Sequence, residues 1–157
     1  MDTSDTNQNE REQAELIAAL TLKIEKFCRI KEEFFTEKFN LTPAEFRCMR
    51  YIRDNIIVTT KTIARDMNLT AGRITHLLGA LEEKKMINRQ IDCQDRRSVL
   101  ISLTSEANEF INKAFIEYTD LHIDILKYLP KNKRKSIIQD MEYFFNALRK
   151  WANDNVM

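Results

Sequence analysis

The sequence predicts a mostly α-helical fold with one small β-hairpin set among long helices, on three observations. Glycine and proline number two each in 157 residues, which leaves few places to break a helix. Between Thr60 and Thr104 the pattern passes from a short helical segment through a tight turn to a second helical segment, then to two strands joined by a charged loop. Long apolar stripes at helical spacing flank this stretch at both ends of the chain. The order reads as a winged helix-turn-helix with a small β-hairpin wing and long N- and C-terminal dimerisation helices.

The first residues, MDTSDTNQNEREQ, are polar and acidic, unlike a signal or transit peptide, and read as a flexible tail over residues 1–10. A helix follows from about Arg11 to Phe39, with Leu16, Leu20, Ile24, Phe27, Phe34 and Phe35 in its apolar stripe. That is more apolar face than a small domain needs, so part of it is expected to meet a partner helix. Leu41-Thr42-Pro43-Ala44-Glu45-Phe46 is the sharpest helix start in the chain. Thr42 is the N-cap, Pro43 sits at the first helical position and Glu45 completes a capping box. The helix should bury Phe46, Met49, Tyr51 and Ile52 and end near Asp54-Asn55. Ile56, Ile57 and Val58 then read as a short strand pairing with the wing. Thr60 is expected to cap the third helix, which buries Ile63, Ala64 and Met67. Asn68-Leu69-Thr70 makes the turn, with Thr70 as the next N-cap.

In the helix after this turn, Ile74, Leu77, Leu78 and Leu81 fall at i, i+3, i+4 and i+7 and form one stripe to bury. Gly72, Thr75, His76 and Gly79 lie opposite, with Arg73 on the flank. Each glycine weakens a helix interior by roughly 0.5–1 kcal/mol relative to alanine, and both glycines of the chain are on this face. Close approach to a partner surface is one reason for them, and a small-residue face beside Arg73 and His76 suits a DNA major groove. Asn88 to Asp92 and Ser98 to Leu103 have strand character. Their connection, Cys93-Gln94-Asp95-Arg96-Arg97, carries two arginines that a narrow minor groove would attract. The candidate DNA-binding residues are therefore Thr60, Lys61, Thr70, Gly72, Arg73, Thr75, His76, Arg89, Asp95, Arg96 and Arg97.

Thr104 should cap a long fifth helix reaching about Tyr128, with Ala107, Phe110, Ile111, Ala114, Ile116, Leu121 and Ile125 on inner faces. Pro130 ends the connection, and Lys131 to Lys135 opens a last helix carrying Ile137, Ile138, Met141, Phe144, Phe145, Leu148 and Trp151. The basic run at its start reads as a solvated loop, and Trp151 with its phenylalanines as interface core. Residues 41–104 thus form the winged helix-turn-helix DNA-binding domain, and residues 11–40 and 105–157 the helical dimerisation region.

The net charge of +1 does not announce a nucleic-acid binder. Its distribution does more: Lys61 to Arg97 holds eight basic against five acidic side chains, while the first fifteen residues hold one against five. No phosphate-binding glycine loop, nucleophile elbow or metal cluster is present in the sequence, so neither an enzyme nor a cofactor or metal site is expected. Cys28, Cys48 and Cys93 form no C-x-x-C pair, which fits a reducing, cytoplasmic setting.

Leu81-Glu82-Glu83-Lys84-Lys85-Met86-Ile87-Asn88-Arg89, followed by Asp95-Arg96-Arg97 and then Leu103-Thr104, resembles the MarR family of winged-helix transcription regulators. The resemblance covers about residues 41–112. It implies a homodimer that binds a pseudo-palindromic operator on double-stranded DNA, most often as a repressor. A small aromatic or amphipathic effector would enter between the first, second and fifth helices. By the same resemblance Arg97 reaches the minor groove, Asp95 holds the wing, and His76 stands where many members carry a base-contacting arginine. Lys85 replaces the glycine usual after the recognition helix, and Ala107 replaces a second one. Either Lys85 adopts a left-handed conformation at a cost of ~1–2 kcal/mol, or the helix ends differently. Two other readings compete: a thiol-based redox-sensing regulator using Cys28 beside Arg29, and a winged-helix protein-interaction module. Inert packing is favoured for Cys28 and Cys48, and Cys93 is expected to be exposed.

Arg97→Ala is expected to weaken operator binding more than Lys61→Ala does, and to alter the preference for A·T pairs. Loss of a plain phosphate contact would only lower the salt slope by about one. Equal affinity of wild type and Arg97→Ala across a salt series would remove the wing assignment.

Overall fold

Helix ends decide how this chain turns. The computed structural model describes residues 3–93, 95 and 98–156, and the chain forms two compact units, Met1–Ala114 and Phe115–Met157. The elements in order are α1 (Thr3–Glu37), α2 (Pro43–Asn55), β1 (Val58–Thr59), α3 (Thr60–Asp66), α4 (Ala71–Glu83), β2 (Ile87–Ile91) and β3 (Val99–Leu103). Then come α5 (Ser105–Lys127), a 3-10 turn (Lys131–Lys133) and α6 (Arg134–Asn155). This is the expected winged helix-turn-helix, with β3 central in an antiparallel sheet of order β1-β3-β2.

With both glycines inside α4, other residues must take the left-handed positions after helices. Asn40, Asn68 and Lys85 do so, at φ 53°, 52° and 58°. Each closes the helix before it with two crossed backbone bonds, the geometry of a Schellman motif. After α1, Asn40 N–H reaches Glu37 O (3.1 Å) and Leu41 N–H reaches Thr36 O (3.1 Å). After α3, the bonds run from Asn68 to Arg65 (3.1 Å) and from Leu69 to Ala64 (2.8 Å). After α4, Lys85 N–H reaches Glu82 O (2.8 Å) and Met86 N–H reaches Leu81 O (2.9 Å). Asparagine tolerates this conformation; lysine gains nothing from it. Of the two alternatives open at Lys85, the left-handed one is therefore the case.

The capping box at α2 forms as the residues require: Thr42 N–H donates to Glu45 Oε2 (2.7 Å) and Glu45 N–H to Thr42 Oγ1 (3.2 Å). Thr70 and Thr104 cap α4 and α5 through the N–H groups of Arg73 (3.4 Å) and Ala107 (3.2 Å). Several expectations need correction, among them the burial of Ala64 and Met67, which are only half-buried. The cap of α3 is Thr59, whose hydroxyl accepts from Thr62 N–H (3.1 Å), and Thr60 is its first helical residue. Helix α1 begins at Thr3, not Arg11, because no proline or glycine interrupts the segment expected to be a tail. Strand β1 is Val58–Thr59; Ile56 sits at φ 65° in a γ-turn closed by Ile57 N–H to Asn55 O (2.8 Å). Tyr51 is half-buried rather than core, its hydroxyl donating to Asp66 (2.6 Å).

The core of the first unit gathers Phe46, Met49 and Ile52 from α2, Ile63 from α3, Ile74, Leu78 and Leu81 from α4, Ile101 from β3 and Ile111 from α5. Ile101 pairs with Val58 on one side and Arg89 on the other, so the sheet closes over this core at its middle strand. Phe35 joins α1 to α2 by an edge contact with Phe46 (5.3 Å between ring centroids), and Phe39 meets Phe110 of α5 (5.7 Å). Along the rest of α1, Leu16, Leu20, Ile24, Phe27 and Phe34 are exposed. In the second unit, the Arg134 guanidinium donates to Leu129 O (3.3 Å) across the turn into α6. Helix α6 has no buried residue, and Ile116 and Ile125 of α5 are exposed rather than inward. No helix among the described residues is long and apolar enough to cross a membrane.

Lys85→Gly removes a Cβ from a left-handed position while loosening the unfolded chain. The net expectation is a gain of about 0.5–1 kcal/mol in urea denaturation. Asn40→Gly and Asn68→Gly should change stability less. A lower midpoint for Lys85→Gly would mean that the lysine side chain contributes more than its backbone costs.

Candidate nucleic-acid interface

Helix α4 is anchored by one face and bare on the other. Ile74, Leu77, Leu78 and Leu81 are buried, which turns Gly72, Arg73, Thr75 and His76 to solvent and leaves Gly79 half-buried. Thr75 donates its hydroxyl to Ala71 O (2.8 Å). What it offers outward is a methyl group and an acceptor lone pair. A Cβ added at Gly72 or Gly79 would meet nothing within 4 Å, and neither glycine has a positive φ. Nothing among the described residues accounts for these two glycines. They keep the outer surface of the helix low.

A cleft of about 670 Å³ lies between this helix, the start of α3 and the sheet. Thr60, Lys61, Thr75, Arg89 and Asp95 all line it, so five of the candidate residues from four segments converge there. Thr60 is half-buried and Lys61 exposed at the start of α3. Arg89 is not a free cation: its Nε lies 2.9 Å from Glu82 Oε2. Asp95 closes the wing turn. Its carboxylate accepts from Ser98 Oγ (2.9 Å), its carbonyl accepts from Ser98 N–H (2.8 Å), and Asp92 N–H donates to Ser98 O (3.0 Å). Arg96 and Arg97 lie outside the described residues. Thr70, Gly72, Arg73 and His76 stand apart from the cleft, on the first two turns of α4 and its cap.

The sequence reading missed a charge pair that holds this region. Glu45 is 3% exposed, and the Lys84 ammonium donates to its Oε2 (2.9 Å) and to Asn40 O (2.9 Å). Burial pushes the Glu45 carboxyl up, but the Thr42 N–H, Lys84 and the Thr42 side chain outweigh it and hold its pKa below the ordinary value. The one signal in the sequence was an otherwise ordinary Lys-Lys pair at a helix end; its partner lies 39 residues away.

The cysteines divide. Cys48 is buried, and burial pushes its thiol up to about 12, a setting for packing and not for nucleophilic chemistry. Cys28 is exposed, against the expectation of packing, because α1 presents that face to solvent. Its neighbour Arg29 pairs with Glu25 (3.0 Å). Cys93 is exposed in the wing, as expected.

Residues 41–99 match the profile of the MarR family. A Bacillus subtilis HTH-type transcriptional regulator, YhbI, is 28% identical over 101 residues, covering 64% of this chain and 66% of that protein. The chain thus spans just under two thirds of that relative's length. Among solved structures, Staphylococcus aureus MepR, a transcription regulator of the multidrug efflux pump MepA, superposes with a TM-score of 0.72 at 20% identity. That likeness covers 83% of this chain and 97% of MepR. A mutant E. coli MarR complexed with operator DNA gives 0.71 at 20% identity, covering 84% and 92%. At these identities the two structures speak for the fold.

Because no described neighbour requires either glycine of α4, Gly79→Ala, in the helix interior, is expected to stabilise the chain by roughly 0.5–1 kcal/mol in chemical denaturation, and Gly72→Ala, in the first turn, by less. A loss of stability at either position would show that the fold itself needs the glycine.

Proposed function

The chain carries a MarR-family domain in residues 41–99, and on that premise we propose that it is a sequence-specific, double-stranded-DNA-binding transcription regulator. We place it in the cytoplasm as a homodimeric repressor. The observation that carries this reading is the division of α4 into a fully buried leucine-isoleucine stripe and a solvent face of Gly72, Arg73, Thr75 and His76. A helix so anchored can enter a major groove about 12 Å wide with small side chains leading. In this reading Thr75, His76 and Arg73 read base edges, and Gly72 lets the backbone approach. Thr60 and Lys61 meet phosphates at the start of α3, while Thr70 fixes the start of α4. Across the cleft, Arg89 stands with the wing, where Asp95 holds the turn and Arg96 and Arg97 reach the minor groove.

The homodimer is supported by two apolar faces that their own units leave uncovered: Leu16, Leu20, Ile24 and Phe27 on α1, and Met141, Phe145, Leu148 and Trp151 on α6. Burying each such side chain is worth about 1.5–3 kcal/mol. Residues 11–40 and 105–157 would then be the dimerisation region and 41–104 the reading domain, with half-sites spaced by about 34 Å. An effector of small aromatic or amphipathic chemistry, relieving repression, enters this reading through the family resemblance alone.

Selection from a random duplex pool, with light scattering of the free protein and of its complex, tests the proposal. The expected result is a palindromic site bound by two chains. No enrichment of any duplex would reject it in favour of a protein-interaction module. On the selected duplex, His76→Ala should lower discrimination by ~1–3 kcal/mol at one base-pair position per half-site and leave the others unchanged. Binding profiles over all single-base variants that are parallel and merely offset would leave Arg73 and Thr75 as the readers.

A further inference from the structure

The two ends of α4 are held very differently. At its start the side-chain bonds among the described residues stay within the helix and its cap: the long Thr70 cap, 3.4 Å to Arg73 N–H, and the Thr75 hydroxyl to Ala71 O (2.8 Å). At its end, three consecutive residues tie it to two other parts of the first unit. The Lys84 ammonium donates to Asn40 O, at the corner after α1, and to the Glu45 carboxylate, in the first turn of α2, each at 2.9 Å. Lys85 O accepts the Thr104 hydroxyl (3.1 Å) and Met86 O accepts Thr104 N–H (3.1 Å), which fastens the same helix end to the cap of α5.

Both acceptors of Lys84 are fixed in direction. The Asn40 carbonyl is oriented by the left-handed residue that closes α1, at φ 53°. The Glu45 carboxylate is held by the Thr42 N–H of its own capping box (2.7 Å) and is shut from water. An ammonium satisfying both has little freedom, and the Lys84 side chain is two-thirds covered. A charge pair with one buried partner is expensive to desolvate, which offsets much of its attraction and leaves a small net contribution to stability. The corner it grips is the one that α1 enters, where Phe35 packs on Phe46.

We propose that Lys84 is the positioning residue of the recognition helix: it sets the pose of α4 from the α1–α2 corner and carries displacements of α1 to the DNA-reading face. This deepens the DNA-binding reading above and rests on it.

The test compares Lys84→Met, which keeps the stem and removes the ammonium, with Lys84→Arg and with Lys85→Met as a control for charge at the same helix end. All are measured at a temperature where each is fully folded, on the duplex that the wild type selects from a random pool. Lys84→Met should bind about tenfold more weakly, a typical coupling between linked sites, with an unchanged salt slope. Lys84→Arg should recover most of the affinity, and Lys85→Met should lose less than Lys84→Met. Without DNA, amide hydrogen exchange in Lys84→Met should speed up together in residues 71–83 and 40–45. Wild-type affinity in folded Lys84→Met would overturn the proposal, leaving a purely structural ion pair. A salt slope lowered by about one would overturn it too, since Lys84 would then be a phosphate contact. If the wild type selects no duplex, the DNA-binding reading fails. The exchange comparison then still decides whether Lys84 couples the corner to α4: unchanged exchange in residues 71–83 rejects the coupling.

Discussion

The burial of four side chains on α4 governs what the rest of the first unit can do. Ile74, Leu77, Leu78 and Leu81 are buried where α4 packs against α2, α3 and β2. Rotating the helix by a residue or two would bring Gly72 or Thr75 inward and put leucine into water, at about 0.8 kcal/mol for each methylene exposed. The helix therefore has one orientation, and its polar, low-relief face is outward as a consequence. The neighbouring elements frame that face: the start of α3 on one side, the sheet and wing turn on the other.

Local chemistry made most of the fold legible. Capping residues and helical spacing act within a turn or two of chain, so the Thr42 box, the Thr70 and Thr104 caps and the α4 stripe can be read from adjacent residues. The misplaced features are those decided elsewhere. Thr59 and Thr60 are equally good caps in isolation; the pairing of β1 with β3 leaves Thr59 extended and gives it the task. Tyr51 has the spacing of a core residue, but Asp66 on the next helix offers its hydroxyl a partner at the surface. The candidate site divides likewise. The outward residues of α4 follow from the stripe opposite them, whereas the Lys84–Glu45 pair joins residues far apart in sequence and has no local signature.

Turn chemistry in this chain is unusual in where its glycines stand. Both stand within α4, Gly72 in its first turn and Gly79 in its interior, and none occupies the left-handed positions after α1, α3 and α4, where one would be favoured. Asn40, Asn68 and Lys85 take those positions instead. Backbone freedom is thus concentrated in α4, and the corners that carry the chain between elements are held by residues with side chains.

Helix α1 has 35 residues, which at 1.5 Å per residue makes it about 50 Å long. Its packing in the first unit is concentrated at the last turns, where Phe35 and Thr36 are buried. It is therefore a lever with a short, fixed arm at the corner and a long arm in solvent. Holding the distant end to within about 1 Å defines the angle at the corner to about 1°, over that same length. Anything that grips the N-terminal half of α1 thereby acts as a fine adjustment on the point where α1, α2 and the end of α4 meet.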